Sequence, residues 1–315
     1  MNRLSKQFGK ILLFLFLLSF FSFMIIKLAP GDPVMNILGT QDLAASNQDI
    51  EQLREKLGLN KPMLVQYYDW LKNVVQFNLG NSIITGKSVT SQIGHSFLNT
   101  VILALGSTLV MLVISIPLGV VSAFYRNGVV DKVIKLLNAV GASIPGFWLG
   151  FLLVDIFATK LNLLPSMGIG EIKHIVLPSL TLGITMAPPY VRLLKASLVE
   201  NMEQDFVRAA YARGITKKRI FFFHIFRKSL IPFITLFGMS IGSFMGGTVV
   251  IEVLFSYPGL GKLAIDSITA RDYSIIQGFI LFTGLIVFLI NVIVDMLYHH
   301  IDPSISAKEV EAVEV

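Results

Sequence analysis

The chain has 315 residues, 54% of them apolar and only 15% charged, with a net charge of +6 and no cysteine. Its mean hydropathy is +0.71; soluble domains are about a quarter charged, so this composition excludes an ordinary soluble domain and indicates an integral membrane protein. It also excludes a disulfide framework, thiol chemistry and a cysteine metal site, and in a membrane protein the excess of Lys and Arg reports cytoplasmic loops rather than nucleic-acid binding.

Arg3, Lys6 and Lys10 precede an apolar run over residues 11–26. The run is long for the apolar region of a signal peptide, and Lys27-Leu28-Ala29-Pro30-Gly31-Asp32-Pro33 is no small-x-small cleavage site. An uncleaved first span with the N-terminus inside (1–28) is the favoured reading, and a cleaved leader the alternative. Residues 29–98 are the one sizeable polar stretch. Pro30, Gly31 and Pro33 force an irregular exit. Residues 49–57 read as a short helix stopped by Gly58. Pro62 opens a second, amphipathic helix to about Phe77, with Val65, Tyr68, Lys72 and Val75 at helical spacing and Tyr67, Tyr68 and Trp70 suited to a membrane interface. This segment is expected to cap the outer mouth of the molecule; the plain alternative is a connector.

Five further apolar stretches follow, at 99–124, 133–157, 175–196, 230–255 and 275–298, each long enough for the ~20 residues of a spanning helix. With the first they make six spans, which puts both termini on one side. Arg126, Lys132 and Lys135 flank one short connection, and residues 192–228 hold nine Lys/Arg against three acids. The connections at 158–174 and 256–274 are poor in net positive charge. The positive-inside rule therefore places 125–132, 197–229 and both termini in the cytoplasm. The fold class expected is an all-α membrane protein of six transmembrane helices: a transmembrane core over 99–298, an extracytoplasmic cap between the first and second spans, a cytoplasmic loop at 197–229 between the fourth and fifth, and a cytoplasmic tail at 299–315.

The spans are rich in helix breaks, including Pro117, Pro145, Pro178, Pro188 and Pro189, which membrane helices tolerate when neighbours satisfy the freed backbone groups. Several kinked helices suit a protein that rocks between two states. Gly238, Gly242 and Gly246 recur every four residues, a small-xxx-small face that either lines the central path or packs statically. Met239 and Met245, with Met186, either line that path with soft side chains or fill the core. Asp155, Glu252 and Asp295 are the acidic residues of the spans; each is placed near a span end, where an interfacial or capping role is the simpler reading. Gly259-Leu260-Gly261-Lys262 lacks the spacing of a nucleotide-binding loop and reads as an outer turn. His95, His174 and His224 are isolated, and no nucleophile motif occurs. The chain is thus expected to be no enzyme and to hold no cofactor or metal, drawing energy from a partner or an ion gradient.

The cytoplasmic stretch at 205–232 carries the most information. Asp205 can cap a helix, Ala209 and Ala210 leave a smooth face that a partner can approach, Gly214 is a natural helix stop, and Thr216 can start a second short helix. By pattern alone this is either a docking element or an ordinary basic loop. The order Ala209, Ala210, three residues, Gly214 resembles the coupling loop of ABC importer permeases, with Arg208 where that motif carries glutamate; that departure is similar to the peptide/nickel branch of the family.

Four further segments are similar to the first, or B-type, permease of the dipeptide/oligopeptide/nickel importers: Leu28 to Pro33; Leu57 to Pro62 with Gln66-Tyr67 and then Asn78 to Ser82; Glu252, Phe255 and Pro258 to Gly261 with Ala270 to Tyr273; and Asn291, Asp295, Tyr298 and Ile301 to Pro303. Asn81 and Ser304 depart from the residues expected there. The resemblance implies a bacterial or archaeal cell membrane location, a second homologous permease as heterodimeric partner, two ABC ATPase subunits that hydrolyse ATP, and an extracytoplasmic solute-binding protein; the chain itself is expected to contact membrane lipid and no nucleic acid. It implies that Asp205, Arg208, Ala209, Ala210, Arg213 and Gly214 form the ATPase-coupling loop, and that the substrate is a peptide, nickel or a metal chelate such as a metallophore complex. A secondary carrier or a channel uncoupled from ATP is the alternative from another class.

Overall fold

The computed structural model describes residues 3–28, 51–52, 54–55 and 60–301. Most of the expected 49–57 helix, the exit at Pro30 to Pro33 and the tail beyond 301 lie outside the described residues. Among the described residues every regular element is a helix, apart from an isolated antiparallel bridge pairing Asn81 with Ser88. The helices are α1 (Arg3–Leu28), α2 (Met63–Val75), α3 (Val89–Phe124), α4 (Val129–Ser143), α5 (Gly146–Leu153), α6 (Lys173–Met202), α7 (Asp205–Ala212), α8 (Lys217–Ile220), α9 (Arg227–Leu254), α10 (Leu260–Thr269) and α11 (Tyr273–Ile301). Widened π-type turns at Val154–Lys160 and Phe221–Phe226 continue α5 and α8.

Several boundaries differ from the sequence expectation, each for a local reason. The second span begins ten residues early, because Val89 to Leu98 continue the same helix and bury Val89 and Ile93. The third is broken: Val129–Ser143 and Gly146–Lys160 meet at 101°. Pro145 causes the break, since it caps α5 in an extended conformation and forces Ile144 out of the helical region. The connection expected at 256–274, including the turn expected at Gly259 to Lys262, contains α10. On α2, Val65, Tyr68 and Val75 are exposed, whereas Tyr67 is buried.

Among the described residues, three helical stretches are long and apolar enough to cross a membrane, Val89–Phe124, Lys217–Gly238 and Tyr273–Ile290, and the bent pair would make a fourth. The apolar part Leu13–Met24 of α1 is shorter. The remaining expected span, α6, buries thirteen of its thirty residues against the rest of its unit.

The chain forms two compact units. One unites the described residues up to Leu98 with Lys262–Leu289. In it, Tyr67 of α2 packs edge-on against Phe20 and Phe23 of α1 and shares a 2.8 Å hydrogen bond with Ser19. Phe14 stacks on Phe288, and Gly278 lies against Val89 and Ile93. Asp272 is buried at the start of α11, accepting from the Ile275 amide as an N-cap and from the Ser82 hydroxyl.

The other unit is built on Asn99–Gly261. Its core has two parts. Tyr190, Leu194 and Leu198 of α6 gather with Val207, Ala210, Ile220 and Ile225. Leu177 and Leu182 gather with Leu103, Leu149, Leu153, Ile251 and Phe255. Glycines let α3 and α6 approach closely: a Cβ at Gly183 would stand 2.5 Å from Val110, and one at Gly106 would stand 2.5 Å from the Ser179 hydroxyl. Sequence reasoning had marked Gly238, Gly242 and Gly246 as a face that lines the path or packs. Those residues lie in α9, but the surroundings of Met239 and of residues 241–247, Met245 included, lie outside the described residues. Met186 packs against the core around Tyr190.

Candidate functional site

α6 runs to Met202, and two residues later the chain starts α7. Gln204, not Asp205, occupies the cap position, with extended backbone and no side-chain cap bond. Asp205 is instead the first helical residue, where its charge favours the positive end of the helix. The far end closes as expected. Gly214 adopts φ +73°, its amide donates to the Tyr211 carbonyl (2.9 Å), and the Ile215 amide donates to the Ala210 carbonyl (3.2 Å). These paired bonds around a left-handed glycine are the Schellman arrangement. Thr216 then takes the extended cap position of α8.

Helical periodicity sorts the side chains of α7. Val207 and Ala210 face inward, 4% and 9% exposed, against the core that includes Leu198 and Ile220. Asp205, Arg208, Ala209, Tyr211, Arg213 and Gly214 face out. The smooth alanine face is therefore split: Ala209 is available to a partner, and Ala210 is the foot that seats the helix on its own chain. Arg208 and Asp205 stand 3.7 Å apart on the exposed surface, a pair of little energetic weight.

Beside α7 lies an open groove of about 430 Å³ lined by Phe206, Phe223, His224, Arg227, Lys228 and Ile231. The Lys228 ammonium sits 4.5 Å from the centre of the Phe206 ring, a cation–π contact that fixes the side of the groove. Behind it, Asn201 at the end of α6 donates to the buried Ser229 hydroxyl of α9 at 3.1 Å. The helices entering and leaving the 197–229 segment are thereby tied together.

Two buried carboxylates organise the rest of this unit. Asp131, in the first turn of α4, is fully buried and receives the Ser122 hydroxyl, the Asn127 amide (3.1 Å), Lys135 (3.0 Å) and Lys195 of α6. A further ion pair, Arg126 with Glu203, joins the same α3–α4 turn to the residue just past α6. Sequence reasoning missed Asp131. It stands in a short polar connection where an exposed acid is the ordinary expectation, and the only available signal was its place one helical turn before Lys135. Glu252 was singled out and assigned to a span end. It is fully buried, accepting from the Thr100 hydroxyl (2.7 Å) and the Gly261 amide (2.7 Å), while Thr100 also accepts from the Leu260 amide (2.8 Å). The first turn of α10 is thus capped by side chains of α3 and α9. Gly259 lies so close to the Glu252 carboxylate that no Cβ fits there. Asp155 is exposed and paired with Lys160 at 2.6 Å. The side chain of Asp295 lies outside the described residues. No group of three or more His, Asp or Glu able to hold a metal ion occurs among the described residues.

Comparison with known proteins gives a consistent result. The profile of the binding-protein-dependent transport system inner membrane component matches residues 115–307, and that of the N-terminal region of such membrane components matches residues 2–118. The glutathione transport system permease protein GsiC of Pectobacterium atrosepticum is 39% identical over 286 residues, covering 91% of this chain and 92% of that protein. GsiC of Escherichia coli K12 is 35% identical over 308 residues, covering 98% of this chain and all of the relative. Among solved structures, the inward-facing MetNI methionine ABC transporter superposes with a TM-score of 0.56 at 16% identity, covering 67% of this chain and 96% of the other. An amino acid ABC transporter solved with histidines superposes with a TM-score of 0.52 at 13% identity, covering 67% and 94%.

Proposed function

Since the chain belongs to the inner membrane component family of binding-protein-dependent transport systems, we propose that it forms, with a second homologous permease, the translocation path of an importer for short peptides. It is a permease of the binding-protein-dependent ABC importer type, of the peptide family. In the proposed assembly the two permeases form a heterodimer, two ABC ATPase subunits supply the work of ATP hydrolysis, and an extracytoplasmic binding protein delivers substrate. The proposed layout has six spans (α1, α3, the bent pair α4–α5, α6, α9 and α11), both termini in the cytoplasm, an outer cap over 29–98, the core over 99–298 and the tail over 299–315. The segment 197–229 is the proposed seat of the ATPase.

One observation carries the coupling assignment. α7 is anchored by Val207 and Ala210, is closed by Gly214, and turns Asp205, Arg208, Ala209 and Arg213 outward. Such an element has a rigid inner side and a free outer side, as a lever between two subunits requires. Its place amid nine Lys/Arg supports a cytoplasmic face. The substrate reading rests on relatives named for glutathione transport; nickel or a metal chelate is the competing outcome. The glycine face of α9 (Gly238, Gly242, Gly246) with Met239 and Met245 remains the proposed path or packing face.

The test uses the importer reconstituted in liposomes with its ATPase and binding-protein partners, presented with glutathione, di- and tripeptides, and nickel chelates. Saturable ATP-driven uptake of a peptide supports the reading, and uptake of the chelate alone reassigns the substrate. Gly214→Pro removes the Schellman amide and cannot take a positive φ; it is expected to cut ATP-driven uptake by about tenfold or more, the ordinary scale of a lost coupling energy, with membrane insertion unchanged. Uptake equal to that of the unaltered protein would count against the coupling assignment.

A further inference from the structure

The contacts of Asp131 point beyond the coupling segment itself. This carboxylate is fully enclosed, and its donors come from three places in the chain: Ser122 at the end of α3, the Asn127 amide in the α3–α4 turn with Lys135 on α4, and Lys195 on α6. Lys195 is itself only 17% exposed. A carboxylate that has left water holds its partners firmly, because each broken contact leaves an uncompensated charge in a poorly screening interior. The neighbouring Arg126–Glu203 pair ties the same turn to the residue just past α6. The helix that leads directly into α7 is therefore clamped, over its last two turns, to the helices before it.

We propose that Asp131 is a positioning residue for energy coupling: it locks the α3–α4 turn to the C-terminal end of α6, so that displacement of the 197–229 segment moves α3, α4 and α6 as one body. The proposal rests on the coupling reading above. Without the lock, α6 would shift alone past α3, and movement of the segment would be lost as local slippage. A charge-paired anchor suits this task better than apolar packing. It has one geometry rather than several nearly equal ones, and it resists the sliding that packed helices otherwise allow.

The chain has no cysteine, so labels can be placed without a background. Lys132 and Glu200 are both exposed, and Lys132→Cys with Glu200→Cys put one spin label on each side of the lock. In the complete importer in liposomes, the distance between the labels is measured without nucleotide and with ATP plus vanadate, alongside uptake per ATP hydrolysed. With Asp131 intact the distance should change by less than about 2 Å, the scale of an ordinary helix shift. In Asp131→Asn it should become nucleotide-dependent, and uptake per ATP should fall about tenfold while ATP hydrolysis continues. A nucleotide-dependent distance with Asp131 intact overturns the proposal, as does Asp131→Asn with unchanged distance and uptake. Should Asp131→Asn fail to assemble, Asp131→Asn with Lys195→Met leaves no buried charge unpaired. Assembly with lost coupling in that variant supports the proposal; assembly with normal coupling, or failure to assemble, reduces Asp131 to a folding role and overturns it. Uptake by the unaltered importer that needs no ATP would be seen in the control, and overturns the coupling reading together with this one.

Discussion

At Thr100 and again at Ser122, α3 hands a hydroxyl to a fully buried carboxylate, first Glu252 and then Asp131. At 1.5 Å per residue the two hydroxyls lie about 33 Å apart along the helix, close to the ~30 Å of a hydrocarbon core. The chemistry at the two ends differs. Asp131 is held by two lysines as well as by neutral donors. Glu252 takes a hydroxyl and the amide of Gly261 at the start of α10, where unpaired amides and the helix dipole favour an anion. The end rich in Lys and Arg uses ion pairs; the end poor in them uses backbone. A buried acid is affordable at either end, but removing it exposes different things: a bare cation at one, unfilled donors at the other.

The largest expected effect breaks the ionic clamp. Asp131→Ala leaves Lys195 without its partner in a nearly enclosed site, and should destabilise the protein by about 3–5 kcal/mol, read as the loss of thermal stability in detergent. A loss below about 1 kcal/mol would mean that water reaches Lys195, and the two ends would no longer differ. Next comes the neutral clamp. Glu252→Gln keeps the shape but turns one acceptor into a donor facing the Thr100 hydroxyl or the Gly261 amide, with an expected cost of about 1–3 kcal/mol by the same measurement. A larger loss than that of Asp131→Ala would reverse the order of the two clamps. The smallest effect sharpens the ionic end by separating buried from exposed charge. Arg126→Ala removes an ion pair whose side chains are half exposed, and should cost less than about 1 kcal/mol.

Much of the local structure over 205–216 was legible beforehand. Gly214 as the stop and Thr216 at the next cap follow from local backbone preference, which glycine and threonine carry with them. Asp205 as the cap was wrong by one position, because helix registry around Gln204 is decided by how Val207 and Ala210 seat on the core, not by the acid. The same seating turned Ala210 inward, where the sequence pattern treated both alanines alike. The break in the third span was visible as Pro145, but a proline states that a helix is interrupted, not that the chain turns by 101°. The glycines that bring α3 and α6 together, Gly106 and Gly183, were missed because they lie in different spans with no common spacing.

By itself, the sequence determined what acts over short range or sums over many residues: membrane class from hydropathy, helix stops from glycine and proline, and family from the order of motifs along the chain. Only the tertiary structure decided the fate of single polar groups. Glu252 and Asp131 could each have been solvated ends of helices. They are buried because Thr100, Gly261, Ser122 and Lys195, as far as 152 residues away in sequence, arrive at the same points in space. The free energy of a charge depends on which donors surround it, and that is a property of the packed helices rather than of any local stretch.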